Sequence, residues 1–459
     1  MNHCMNKFQN ELEQQHKRIK QAGLDSLFIQ SEDIYSIIKQ LIDKHDDSAN
    51  NDRHLKVAQV GASFLEKPIY KMTVGTGPVS IFLWSQMHGD EPTATASLFD
   101  LINYIGSPEN KAWFDSWREK LTLHIVPMIN PDGADLVQRV NAQGIDINRD
   151  AKALQSPEGR LLLSIAEETN PQFGFNLHSQ SRYYTVGQSK NSAVISLLAP
   201  AYNDAKETNQ SRKAAKQLVS VINRSIHQQY PNHVGRYDDT YSSRSFGDLF
   251  SAKGISTILI EAGYYDNDKH RQVPRWLTFL SLVESINTIR DQSHVDVPLQ
   301  SYSAIPFNNA DGLVDLLLKN VSINDNYQVD IAINYDKFFE NGRIDSIGDL
   351  STITGLSSRD MQHYQVQAMK GFQLNEAMTL STSRYRDLLR QGYGYFLGDA
   401  SLLNRQTSFP VVIHSEPIDS EQFNNRTRLN LPANFLFYKD TKISLAIIQG
   451  VVIELDTSI

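Results

Sequence analysis

Between residues 55 and 290 the chain alternates short, nearly continuous apolar runs with longer segments of helical periodicity. The apolar runs are IYKMTV, VSIFLW, LTLHIVP, FGFNLH and ISTILIEAG, preceded by LKVAQVG at 55–61. The helical segments fall at 93–105, 156–169, 204–229, 245–253 and 276–290. A strand that is apolar at consecutive positions is buried on both faces, so it belongs inside a sheet that helices cover on each side. The alternation predicts an α/β domain with a mixed, largely parallel sheet flanked by helices. In such sheets the ends of the strands carry the chemistry.

A length of 459 residues leaves room for two or three domains. Residues 1–54 read as a helical N-terminal segment, in which FQNELEQQHKRIKQAG and SEDIYSIIKQLIDKHDD are followed by the loop-like SANNDRH. Residues 55–295 form the expected α/β domain, and the proline- and polar-rich stretch at 296–312 reads as a linker. Residues 313–459 read as a smaller, mostly β accessory domain. Its expected strands are YQVDIAINYDKFF, FPVVIHSEP, ANFLFYKD and KISLAIIQGVVIEL, and NEAMTLSTSRYRDLLRQGYGYFLGD is its one helical piece.

A net charge of −8 gives no polyanion-binding footprint, so nucleic acid is not an expected partner. No run of about 18 apolar residues is present, so no membrane span is expected. The polar start MNHCMNKFQNELEQQ has no apolar signal-peptide core, which points to a cytoplasmic protein. The single cysteine, Cys4, excludes an internal disulfide framework and reads as an idle thiol.

The run VSIFLW ends in SQMHGDEP, and of the 13 histidines only His88 has a glutamate three residues on, Glu91. A second strand leads into NPDG, and Arg139, Asp146, Asn148 and Arg149 follow within eleven residues. An Asn–Arg pair suits a planar carboxylate ligand, because guanidinium offers a bidentate fork and the amide adds a donor. GIDIN alternates apolar and polar residues, so Asp146 belongs to a short ordered segment. FGFNLH ends in His178, and TILIEAG carries Glu261 inside an apolar strand. A glutamate there must be paired, protonated or facing a site. His124, within LTLHIVP and without an acidic loop beside it, reads as a core histidine.

In order and local context, MHGDE, NPDG with the R·N··G·D·NRD spacing, NLHS and ILIEAG resemble the zinc carboxypeptidases of the M14 type over residues 55–290. The resemblance implies one Zn2+ held by His88, Glu91 and His178, a ligand set of two histidines and a glutamate. It makes Asp146 the carboxylate behind His88, Glu261 the general base and Arg139 the oxyanion holder. Asn148 and Arg149 would grip the substrate carboxylate, and Tyr241 would cap it, with Tyr237 four residues away as a competitor. Two departures stand out. Gly89 and Asp90 occupy positions where many digestive members carry arginine, and Ser179 and Gln180 follow the third ligand without an aromatic. In the stretch SSRSFGD (242–248), the sequence leaves open which side chains line a pocket.

The expected activity is removal of a C-terminal residue from a small peptide with a free carboxylate. The competing enzymatic readings are an N-acyl amino acid deacylase, like the aspartoacylase and succinylglutamate desuccinylase relatives, and a murein-peptide amidase. A peptide-binding pseudoenzyme is disfavoured, because the three ligands, Glu261 and Arg139 are all in place.

Overall fold

The computed structural model describes residues 2–46, 55–323, 327–416 and 429–456. The SANNDRH stretch and the side chain of Cys4 lie outside the described residues. The chain divides into two compact units, Met1–Ala310 and Asp311–Ile459.

The first unit is built on a mixed sheet. Its strands are β1 (Leu55–Ala62), β2 (Pro68–Val74), β3 (Val79–Trp84), β4 (Leu121–Val126) and β5 (Phe173–Ser179). After a two-residue β6 (Thr185–Val186) come β7 (Ile195–Leu198), β8 (Val234–Arg236) and β9 (Ser256–Ala262). The order across the sheet is β1-β2-β4-β3-β5-β9-β7-β8. The four central strands, β4, β3, β5 and β9, run parallel.

Both faces of these strands are covered, which explains their unbroken hydrophobicity. Ile81, Leu83, Phe175, Leu177, Ile258 and Ile260 pack toward the helices Asn2–Ile19, Thr93–Gly106, Gln210–Gln229 and Gln272–Asp291. Phe82 and Trp84 point the other way, toward Leu162 and Ile165 of the helix Pro157–Thr169 and Phe246 and Phe250 of the helix Phe246–Ala252. Side chains alternate along a strand, so Asn176 and His178 in β5, and Leu259 and Glu261 in β9, share this second face. His124 in β4 is half-buried, its Nδ1 has no hydrogen-bond partner, and burial pulls its pKa down to about 4. Such a ring stays neutral in the protein interior.

Several expectations need correction. The helix expected at 204–229 starts at Gln210, because the Asn209 side chain accepts the Arg212 N–H and caps it there. The N-terminal helices are part of the first unit's core, to which Leu12, Ile34 and Ile38 contribute. Residues 296–310 are folded into the first unit rather than forming a linker. They contain the helix Leu299–Ser303, and Asn308–Asn309 (β10) pairs with β6.

Buried charge ties three helices of the first unit together. Asp100 accepts from Arg275 Nε and Nη2 at 2.8 and 2.7 Å and lies 2.8 Å from His16 Nε2. Burial opposes its ionisation, but His16 and Arg275 hold its pKa below the usual carboxylate range.

The second unit is mostly β. The strand Leu313–Ile323 pairs antiparallel with Tyr327–Tyr335 and parallel with Thr354–Asp360. The strands Phe435–Lys439, Lys442–Ile448 and Val451–Glu454 form an antiparallel meander in the same sheet. The helical piece is confined to Thr382–Arg390, while its flanks Met378–Leu380 and Tyr393–Leu397 are strands. Aromatic residues in YGYFL favour a pleated surface, and Gly392 turns the chain at φ +93°. Among the described residues of FPVVIHSEP, only Ile413–His414 form a strand.

Candidate active site

β3 and β5 are parallel neighbours, so both deliver their ends to the same sheet edge. Beyond β3 the chain passes through Gln86, a non-glycine residue at φ +48°. Three hydrogen bonds hold that conformation. Gln86 Nε2 donates to Ile29 O at 3.0 Å and Gly89 O at 2.9 Å, and Oε1 accepts from Thr95 Oγ1 at 2.8 Å. Gly89 is a glycine for want of room, since a Cβ there would stand 1.9 Å from the carbonyl carbon of Gly133. The NPDG turn therefore packs directly on the HGDE loop. Asn130 fastens the two together, donating from Nδ2 to Met87 O while its Oδ1 accepts the Gly133 N–H.

His88, Glu91 and His178 converge at this edge, all nearly buried. Nδ1 of His88 lies 2.8 Å from Glu91 Oε1, and Nδ1 of His178 lies 2.9 Å from Glu91 Oε2. The two Nδ1 atoms are 3.1 Å apart. On the far side of the first ring, His88 Nε2 stands 3.2 Å from Asp146 Oδ1. That carboxylate favours the tautomer with hydrogen on Nε2, which leaves Nδ1 a lone pair turned toward Glu91. Three acceptors this close repel one another unless positive charge stands among them. Burial pulls the His88 pKa down, but Glu91 and Asp146 outweigh it and hold it up at about 9. Burial likewise opposes ionisation of Glu91, which His88 and His178 nonetheless hold well below the carboxylate range. Two imidazoles and a carboxylate with converging lone pairs fit a divalent cation such as Zn2+.

Asp146 does not sit in a strand. It caps the short turn Ile147–Arg149, accepting the Asn148 N–H at 2.9 Å, and its other oxygen accepts from Arg139 Nε at 3.0 Å. Arg139 also reaches Glu91 Oε1, with Nη1 at 3.3 Å. Glu261 in β9 lies opposite His178 in the parallel ladder. No described residue forms an ion pair or hydrogen bond with its carboxylate, and burial, then the charge of Glu91, pushes its pKa up to about 8.

One cavity of about 380 Å3 joins these groups. Arg139, Asn148, Arg149 and Glu261 line it with the triad. Asn148 Oδ1 accepts the Phe246 N–H at 3.0 Å, and Arg149 Nη1 donates to Asn148 O and Ser245 Oγ. Tyr241 is not on the cavity wall, whereas Tyr237 is, with its hydroxyl 3.3 Å from that of Tyr184. Burial and the neighbouring Glu261 raise the Tyr237 pKa. The spacing to Glu261 alone did not separate these two tyrosines; the fold of the 237–245 loop does. Of SSRSFGD, residues Ser242, Ser245, Gly247 and Asp248 face the cavity, while Phe246 is core and Arg244 Nε donates to Arg149 O. Asp248, Tyr184 and Gln86 carried no motif signal and are visible only in the folded chain.

Residues 38–257, just under half of the chain, match the zinc carboxypeptidase family, M14 peptidases. The matched span holds the three triad residues but ends short of Glu261. Carboxypeptidase 2 of Trichophyton tonsurans is 25% identical over 147 residues, 32% of this chain and 26% of that protein. Carboxypeptidase SOL1 of Arabidopsis thaliana is 40% identical over 65 residues, 14% of this chain and 13% of that protein. The chain thus spans at most about a quarter of the length of these relatives. A metallo-carboxypeptidase from Burkholderia cenocepacia superimposes with a TM-score of 0.44 at 15% identity, covering 57% of this chain and 70% of that one. Among the described residues, no helix is long and apolar enough to cross a membrane.

Proposed function

We propose that this protein is a zinc-dependent metallocarboxypeptidase that hydrolyses the C-terminal amide bond of a peptide with a free carboxylate. The observation that carries the reading is the placement of Glu261, unpaired and opposite His178, on the cavity that Arg149 also lines. Zinc bound by His88, Glu91 and His178 would supply Lewis-acid polarisation of the carbonyl and a lowered water pKa. Glu261 takes a proton from the attacking water as the oxygen–carbon bond forms, and returns it to the amine nitrogen as the carbon–nitrogen bond breaks. Arg139, steadied by Asp146, offers donors to the developing oxyanion. Arg149 and the Nδ2 of Asn148 bind the terminal carboxylate, which sets the scissile bond a fixed distance from the catalytic groups.

The test is a panel of blocked dipeptides and N-acyl amino acids, assayed with the zinc-loaded chain with and without chelator. Chelator-sensitive release of the C-terminal residue from dipeptides supports the peptidase. Turnover of acetyl- or succinyl-amino acids alone replaces it with a deacylase.

A further inference from the structure

β5 and β9 end at Ser179 and Ala262, each directly after the residue it presents to the site, His178 or Glu261. Strand ends open at little cost in free energy. Here the end is closed by a knot of hydrogen bonds around Gln180, which is buried on the cavity wall. Its N–H donates to Ala262 O at 3.0 Å and its Nε2 to Ala193 O at 2.7 Å, while its Oε1 accepts from Asn308 Nδ2 at 3.3 Å. Arg271 completes the knot. Its Nη1 donates to Gln180 O at 3.1 Å and to Ala262 O at 3.0 Å. One guanidinium nitrogen thus bridges the two strands immediately beyond His178 and Glu261.

Arg271 is itself firmly placed. It is a non-glycine residue at φ +53°, a conformation that persists only where its surroundings over-determine it. Its N–H donates to Asp268 O at 2.9 Å, and the Asp268 carboxylate accepts the Gln272 N–H at 2.9 Å and the Val273 N–H at 2.6 Å. These bonds fix the loop to the start of the helix Gln272–Asp291. No described carboxylate forms an ion pair with Arg271. Burial pulls its pKa down, while Glu91, Asp268 and Glu261 pull it the other way. A strut between two carbonyls needs no charge, and a half-buried charge costs desolvation. The charge of Arg271 acts instead on the two carboxylates of the site, Glu91 and Glu261.

We propose that Arg271 is a positioning residue: by bridging Gln180 O and Ala262 O it clamps the ends of β5 and β9 and keeps Glu261 in register with His178. The inference rests on the carboxypeptidase reading, in which Glu261 is the general base. Arg271 is not on the cavity wall, so it acts through the strands and not on the substrate. A terminal guanidinium nitrogen carries two hydrogens in a fixed plane, which suits two carbonyls at once. A general base displaced by about 1 Å can cost about 100-fold in rate. Arg149 and Asn148 stand on another loop, so their grip on the terminal carboxylate is unaffected.

The experiment compares the zinc-loaded full chain with Arg271→Met and Arg271→Lys, on the blocked dipeptide that wild type hydrolyses fastest. Arg271→Met is expected to lower kcat by about 10- to 100-fold, with KM within about twofold and zinc per chain unchanged. Arg271→Lys keeps the charge and a donor, and its kcat should exceed that of Arg271→Met by about fivefold or more. Amide hydrogen exchange is read in parallel. The Gln180 N–H should exchange about tenfold or more faster in Arg271→Met, with the interior of both strands unchanged. A wild-type kcat, a loss that lysine does not relieve, or unaltered exchange at Gln180 overturns the inference. Arg271→Gln, neutral and shorter, replaces Arg271→Met with the same expectations should that chain not fold. Absence of dipeptide turnover in wild type removes the peptidase reading, and the exchange comparison then decides the clamp by itself.

Discussion

His178 and Glu261 lie side by side on the parallel strands β5 and β9, on the face of the sheet that opens to the cavity. Their separation is set by the sheet's own hydrogen-bond ladder, so a histidine of the triad and a carboxylate are held in register without a loop between them. Rigid strands place these two groups, while loops place the remainder.

Glu261→Gln keeps the shape of the side chain and loses its capacity to carry a proton. Turnover should fall by about 100-fold or more while zinc content is unchanged. Single-turnover kinetics beside elemental analysis checks both; wild-type-like rates would remove Glu261 from the reaction.

Asp146→Asn weakens the hold on His88 Nε2 and on Arg139 Nε. Loss of the carboxylate that orients a ligating ring is expected to reduce zinc affinity by about 10- to 100-fold. Competition with a chromophoric chelator measures it, and an unchanged affinity would deny Asp146 that role.

Gly89→Ala forces a Cβ to within 1.9 Å of Gly133 and 2.2 Å of the Ala134 nitrogen. Backbone cannot yield there without moving His88 and Glu91 apart. The expected outcome is a folded chain, judged by circular dichroism, with strongly reduced zinc retention. Full retention would mean that the NPDG turn does not brace the ligand loop.

Acid should weaken the first unit through Asp100. Its folded pKa is depressed, so the unfolded chain binds the proton more readily. The contribution is therefore present above about pH 4 and lost as pH falls through the folded value. Chemical denaturation at neutral pH and at about pH 3.5 should show this drop. In Asp100→Asn the drop should shrink, while stability at neutral pH falls by about 1.5–3 kcal/mol, because Arg275 loses its charge-assisted bonds to Asp100 but keeps Asp25 and the Leu24 and Gln21 carbonyls.

What the sequence disclosed follows physical range. His88 and Glu91 were legible because three residues and one loop separate them, and the buried strands because both of their faces are apolar. The pairing of His178 with Glu261 was not legible, since β9 inserts between β5 and β7 in an order that local patterns do not encode. The His16–Asp100–Arg275 network went unseen for the same reason, as each residue looks ordinary on its own helix. YGYFL was misread as helix because a strongly periodic neighbour, Thr382–Arg390, masked its strand preference. That Tyr237 and not Tyr241 lines the cavity was not legible, because a loop path, unlike strand register, leaves no periodic trace. Residues 296–310 looked like a linker because proline and polar residues also occur in short helices and bridges that pack by backbone hydrogen bonds.

Zinc per chain after exhaustive dialysis, for wild type and His178→Ala, tests the triad most directly. One zinc per wild-type chain and none in the variant is the expected result. A wild-type chain without zinc, or equal retention by both, would contradict a metal centre formed by His88, Glu91 and His178.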